Sequence, residues 1–380
     1  MKYVILRIED VSRPAGQTAS LLEGARAAFL QHLSQAGAGG TIRRHRSGSG
    51  AVDRFQVHRG LLGLGPDDAQ ALPGQCYADG ANVRLSEGET AWCCELVTQH
   101  DGIVIDPTAG NIPTKESRVL IEDLNAQLGS DTRRWEVGEA FRHILVVRDP
   151  ALEGNGLTSV APPELLIGRS WRRGLARGAR NAALRRLIEQ AEKLLEAHAV
   201  NRVRVDLGEN PANLIWLWGA GNPRPAGAES ARIVRPGVVI SKNFPLRGLA
   251  RRLGLDWMEG PRSLEEEPLQ RLTQAITARV PTVESLYVQL EVHSNDPVER
   301  QCIMERIDQL LVLPLHETLM QGEPWRVLAV IDDRSGNLPF IAMGTGLPRQ
   351  PVARLTAEAL AGSPLHFTES AQLFKWFTEG

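Results

Sequence analysis

The chain has 380 residues, 42% hydrophobic and 23% charged, enough apolar content for a full core and a length that points to two domains. A formal net charge of −2 gives no global nucleic-acid field, and because every Lys/Arg position except Lys2, Lys115, Lys193, Lys242 and Lys375 is arginine, local arginine runs carry little weight. No apolar run reaches the roughly eighteen residues of a membrane span, and the apolar start at residues 2–6 runs straight into Arg7, so neither a span nor a signal segment is expected and the expected location is cytoplasmic.

In chain order, residues 2–6 have the apolar run of a buried first strand and residues 19–30 the pattern of a helix, which opens an α/β layer fold. Glycine and serine crowd residues 36–51 around Arg43-Arg44-His45-Arg46, the composition of a loop. β-Rich pieces follow at 91–98, 103–106 and 141–147, with a long helix at 181–197. Short β-branched runs resume at 238–241, 286–292 and 327–331, separated by amphipathic helices at 269–280 and 298–321. The expected fold is α/β: a mostly parallel sheet flanked by helices, split between residues 1–66 and 237–380, with an α/β lid domain inserted at 67–236. Cys76, Cys93, Cys94 and Cys302 lack the spacing of a zinc site and read as reduced, buried, structural thiols.

One stretch is specific: Asn210-Pro211-Ala212-Asn213-Leu214-Ile215-Trp216-Leu217-Trp218-Gly219-Ala220-Gly221. It resembles the hinge motif of the archaeal-type cofactor-independent phosphoglycerate mutases, of the alkaline phosphatase superfamily. Weaker fragments stand in consistent order around it: Arg13-Pro14, Gln17-Thr18-Ala19-Ser20-Leu21, Leu61-Leu62-Gly63-Leu64-Gly65-Pro66, Thr108-Ala109-Gly110, Phe141-Arg142-His143 and Glu305-Arg306-Ile307-Asp308. The resemblance implies an alkaline-phosphatase-like core, a serine that is transiently phosphorylated, and two divalent ions held by about six or seven aspartate and histidine ligands.

The positions that should carry this chemistry are mostly replaced. Counting back from Leu61-Leu62-Gly63, the nucleophile falls on Arg54 and its aspartate neighbour on Phe55. The late ligand motif aligns with Glu291-Val292-His293-Ser294-Asn295-Asp296-Pro297-Val298, placing Ser294 and Val298 where an aspartate and a histidine belong. Asp332-Asp333 replaces an aspartate-histidine pair. The leading expectation is therefore a binding, scaffold or regulatory protein without bound cofactor. The alternative is an active, rearranged mutase using Mn, Zn or Co, with Ser49 as nucleophile and Glu9, Asp296, Asp332 and Asp333 as ligands.

In the insert, Arg142 and His143 match residues that the resemblance associates with the substrate's charged end, and Arg247 replaces a lysine after the hinge. An arginine fork suits phosphate or carboxylate. Cys93, Glu95 and Asn111 stand where the resemblance expects arginine, asparagine and histidine, changes that weaken anion binding. Asn210, Asn213, Gly219 and Gly221 read as hinge residues, with Trp216 and Trp218 packing between the domains. A phosphorylated metabolite and a protein partner both remain open; no membrane or nucleic-acid partner is expected.

Overall fold

The computed structural model describes residues 1–11, 20–43, 53–65, 68, 71–149, 152, 160–175, 179–222, 236–294, 296–332 and 337–380. The chain opens with strand β1 (Lys2–Asp10), helix α1 (Ala28–Ala36), strand β2 (Ala38–Arg43) and helices α2 (Arg54–Leu61) and α3 (Pro73–Gly80). Strands β3 (Thr90–His100), β4 (Ile103–Asp106), β5 (Arg133–Glu139), β6 (Arg142–Val147) and β7 (Leu214–Gly221) form a second sheet, with helices α4 (Thr114–Leu128), α5 (Ala179–Glu196) and α6 (Ala199–Asp206) among them. Then come β8 (Gly237–Ser241), α7 (Phe244–Leu253), β9 (Asp256–Glu259), α8 (Glu266–Arg279), β10 (Ser285–Val292), α9 (Pro297–Ile307), α10 (Leu313–Met320), β11 (Trp325–Ile331), β12 (Asn337–Gly344), α11 (Ala357–Ala361), β13 (His366–Phe367) and α12 (Ser370–Glu379).

The first sheet runs β13-β2-β12-β11-β1-β10-β8-β9, parallel except where β12 meets β11 and β2. Because β1, β8, β10 and β11 are parallel, their carboxyl ends share one edge, the place where open α/β sheets build sites. Val4, Leu6 and Ile8 of β1 pack with α1, α8, α9 and α10 on one face. Ile5 packs on the other face with α2, α7 and α12, in a core continuous with the second sheet. On that face β1 turns polar toward its end, from Ile5 to Arg7 to Glu9, as β10 does from Tyr287 to Gln289 to Glu291. Parallel register sets Arg7 beside Gln289 and Glu9 beside Glu291.

The second sheet is antiparallel, ordered β4-β3-β6-β5 with β7 also on β3. It is tied to the first through α3 and α7, which cross at glycines: a Cβ on Gly248 would lie 1.8 Å from the Cys76 carbonyl oxygen and one on Gly80 2.0 Å from that of Phe244. Arg252 and Asp79 add an ion pair at 2.6 Å across the same junction. Among the described residues, no helix is long and apolar enough to cross a membrane.

Three expected segments differ in the structure, and α4 (Thr114–Leu128) stands in a region where a single long helix was expected. Residues 20–27 are not helical; Gly24 has φ +76° there, and α1 starts later, where the Asp308 carboxylate accepts from the backbone N–H groups of Phe29 and Leu30 at 2.9 and 2.7 Å. Residues 38–43 are a strand, not a loop, because Gly39 and Gly40 admit neighbours that a side chain would exclude; a Cβ on Gly40 would lie 2.1 Å from the Leu365 carbonyl oxygen. The helix expected at 298–321 contains a π-helical turn at Asp308–Val312. Pro314 has no N–H for the Leu310 carbonyl, which instead accepts from Thr273 Oγ1 at 2.6 Å.

Candidate functional site

At the shared strand edge lies a network of buried charges. Arg7 is fully buried, with Nη1 donating to the carbonyls of Ile8 and Val330 at 3.1 and 3.3 Å. Its Nη2 donates to Asp332 Oδ1 and lies 3.4 Å from Glu9 Oε1. His58 of α2 reaches the same Glu9 oxygen at 3.1 Å, while its Nδ1 lies 2.6 Å from the Tyr287 hydroxyl. Gln289 Nε2 donates to Glu9 Oε2 at 2.8 Å, and the Ser241 hydroxyl donates to Gln289 Oε1. The next carboxylate, Asp10, pairs with Arg300 at 2.6 Å, and Arg54 Nη2 donates to the Asp10 carbonyl at 2.7 Å.

Electrostatics follow from this pairing. Burial alone would raise Glu9, but the adjacent His58 and Arg7 hold it below the usual carboxylate range. Burial likewise works against charge on Arg7, and Asp332 and Glu9 outweigh it. Glu291 stays well below the usual range against its burial, through His293 Nε2 at 3.0 Å, Arg142 at 3.9 Å and Lys242 Nζ at 3.4 Å. On the insert side the balance reverses: burial and the charge of Glu164 push Glu95 up to about 8, and Tyr77 donates a hydrogen bond to it. Burial raises Asp53, the N-cap of α2, to about 6.

Between the two sheets remains a polar cavity of about 30 Å³ whose walls include Glu9, Arg54 and His58 from the core and Glu95, Arg142 and Trp218 from the insert. That is room for a water molecule or two, against the roughly 300 Å³ at which small-molecule pockets begin. Among the described residues, no group of three or more His, Cys, Asp or Glu side chains is disposed to hold a metal ion.

The sequence candidates fall in different places. Glu9 and Asp332 sit together around Arg7, and Arg142 reaches toward them from β6 through Glu291. Asp296 is exposed and caps α9, accepting from the Val298 N–H at 2.9 Å. Ser49 and Asp333, like Arg44, His45 and Arg46, lie outside the described residues. His143 is buried inside the second sheet, where burial lowers it to about 3 and Nδ1 accepts from the Gly138 N–H at 3.1 Å. Arg247 ties α7 to the insert, with Nε donating to the Gly80 carbonyl at 2.8 Å and Nη2 lying 3.9 Å from Glu139.

In the hinge, Asn213 exchanges two hydrogen bonds with the Gln99 backbone at 2.8 and 2.9 Å, and Asn210 donates to Asp106 at 2.8 Å. Trp216 is buried with its indole N–H on the Ala161 carbonyl, and Trp218 meets Tyr77 edge-to-face at the cavity. Gly219 takes φ +61° against Pro73, and Gly221 packs on Gln75. Cys302 is exposed, which corrects the expectation of four buried thiols: it lies on the outer side of α9. Arg7, His58, Gln289 and Arg300 were not singled out as site residues. Their signal was charge at alternate positions of an otherwise apolar strand, Arg7 and Glu9, where period two places both on one face.

A mostly parallel sheet with carboxylates at its strand ends, carrying an antiparallel insert, is the alkaline-phosphatase-like fold. The model of the 2,3-bisphosphoglycerate-independent phosphoglycerate mutase family matches residues 58–201. The mutase of that name from Methanothrix thermoacetophila is 30% identical over 308 residues, covering 75% of this chain and 76% of its own. That of Methanosarcina mazei is 29% identical over 282 residues, 71% of this chain and 70% of its own. The solved cofactor-independent phosphoglycerate mutase of Thermoplasma acidophilum superposes with a TM-score of 0.55 at 20% identity, over 100% of this chain and 99% of that one. The chain belongs to the 2,3-bisphosphoglycerate-independent phosphoglycerate mutase family.

Proposed function

We propose that this family member has given up two-metal phosphoryl transfer and acts as a binding or regulatory protein built on the mutase scaffold. The observation that carries this reading is the Arg7 guanidinium, buried between Glu9 and Asp332. Two ions placed for in-line displacement need their own set of carboxylate and imidazole ligands. Here Glu9, Asp10, Glu291 and Asp332 each already face a cation of the chain. A divalent ion about 4 Å from a guanidinium meets a repulsion of ~8 kcal/mol at an effective dielectric constant of about 20. Moving Arg7 aside instead strands a buried charge, at a cost of about 3–5 kcal/mol. The described residues do not fit the two-ion centre.

Replacement of the expected nucleophile points the same way, since Arg54 at that position hydrogen-bonds the Asp10 backbone. A second reading, an active metal-dependent mutase interconverting 3- and 2-phosphoglycerate, is favoured by the names of the relatives. A coupled mutase assay with Mn, Zn or Co, run beside the Methanosarcina mazei relative, separates the two. Turnover at background level is expected, and a rate comparable with the relative's would overturn the proposal.

A further inference from the structure

At the opposite edge of the core sheet from the charged network, where β11 begins and β12 ends, lies a cavity of about 360 Å³. This is within the size range of small-molecule sites. The residues lining it include Trp325, Met320, Met343, Leu347 and Pro348, together with the exposed Arg349. The indole is held in place from behind: His316 stacks edge-on against it with centroids 5.0 Å apart, and Phe29 backs His316 at 4.7 Å. Met320 is 62% exposed, a large apolar side chain left in water beside the opening. Among the described residues no carboxylate pairs with Arg349.

We infer that this cavity binds a small planar aromatic anion. A tryptophan and two methionines in the lining favour a flat aromatic body, since rings pack well against indole and make sulfur contacts with thioethers. A guanidinium that no described carboxylate engages selects a carboxylate, sulfonate or phosphate on that body through paired N–H donors. A peptide would need a groove continuing beyond the cavity or an open strand edge to pair with. No open strand edge is offered here, because β11 and β12 pair with each other and with β1 and β2 on either side. The inference is independent of whether the distant charged network holds metal.

The test uses the full chain and 2-naphthoate, with neutral 2-naphthamide as its uncharged counterpart. Binding is followed by calorimetry and by fluorine NMR of protein labelled with 5-fluorotryptophan, in which the Trp325 signal is assigned from Trp325→Phe. The naphthoate is expected to bind at submillimolar concentration, shift the Trp325 signal, and bind about fivefold or more tightly than the amide. Met343→Trp, which fills the cavity, should weaken it at least about tenfold with the melting temperature retained. Arg349→Gln should leave folding intact and remove the preference for naphthoate over naphthamide. The inference is overturned by no binding at millimolar naphthoate, by unchanged affinity in Met343→Trp, or by shifts at other tryptophans alone. Tighter binding of an apolar C-terminal peptide than of naphthoate would overturn it in favour of a protein-docking groove.

Discussion

Replacing Arg7 with methionine tests the charged network at its centre. Arg7→Met keeps most of the side-chain volume but removes the cation facing Asp332 and Glu9 and the donor to two backbone carbonyls, all in a site with no solvent exposure. His58 still reaches Glu9, and Asp332 keeps the Asp10 backbone N–H at 3.2 Å but loses the guanidinium that faces it. Breaking one side of a buried pair costs about 3–5 kcal/mol. With an unfolding entropy of about 2.1 cal/mol/K per residue over 380 residues, that corresponds to a melting temperature lower by about 4–6 °C. The pH dependence has a definite sign. Glu9 is held below its unfolded value, so its share of the stability is present above the unfolded carboxylate pKa and is lost as pH falls through the folded value. The gap between variant and parent is therefore widest at neutral to alkaline pH and narrows on acidification. Removing both charges in Arg7→Met with Asp332→Leu should recover much of the loss. Thermal and urea melts at pH 8 and at a series of pH values below the unfolded carboxylate pKa of 4.5 measure these differences; a single variant within about 0.5 kcal/mol of the parent at pH 8 would refute the reasoning.

Two further predictions address the junction between the sheets. Glu95 is raised to about 8 by burial, so the folded chain holds a proton there that the unfolded chain releases nearer 4.5, and this group's effect on stability worsens as pH rises across that window. Glu95→Gln should be near neutral at pH 5 and stabilising by about 2–4 kcal/mol at pH 9, read from urea midpoints; an equal effect at both would contradict the assignment. Gly248→Ala places a methyl 1.8 Å from the Cys76 carbonyl oxygen in backbone that cannot yield cheaply. It should cost about 3 kcal/mol or more and open the insert to limited proteolysis, and parent-like melting together with parent-like resistance would show that α3 and α7 are not locked together.

Legibility in the sequence followed what each residue depends on. The long helix and the strands of the second half were readable because their apolar periodicity is local. So was the hinge, whose asparagines precede β7 and whose glycines are among its last residues. The start of α1 was not, because its cap is Asp308, some 280 residues distant in the chain by the bonds to Phe29 and Leu30. Nor was β2, whose glycines look like a loop until Leu360 and Leu365 are seen to press against them. β1 read as ending at Leu6 because charge normally marks the surface; Arg7, Glu9 and Asp10 remain buried only because Asp332, His58 and Arg300 complete them. Departures from the resembled motif could be counted along the chain, whereas the cations that face Glu9, Asp10, Glu291 and Asp332 come from separate strands and helices and meet only in the fold.

The central claim, that cations of the chain occupy the place of the family's ions, is tested most directly by metal stoichiometry. The protein is incubated with manganese, zinc or cobalt, passed through gel filtration and analysed by inductively coupled plasma mass spectrometry, with an active family member treated alike. The account predicts metal near background for this chain while the active relative retains its ions. Two ions per chain would contradict it and would mean that Arg7 yields its place to metal in solution.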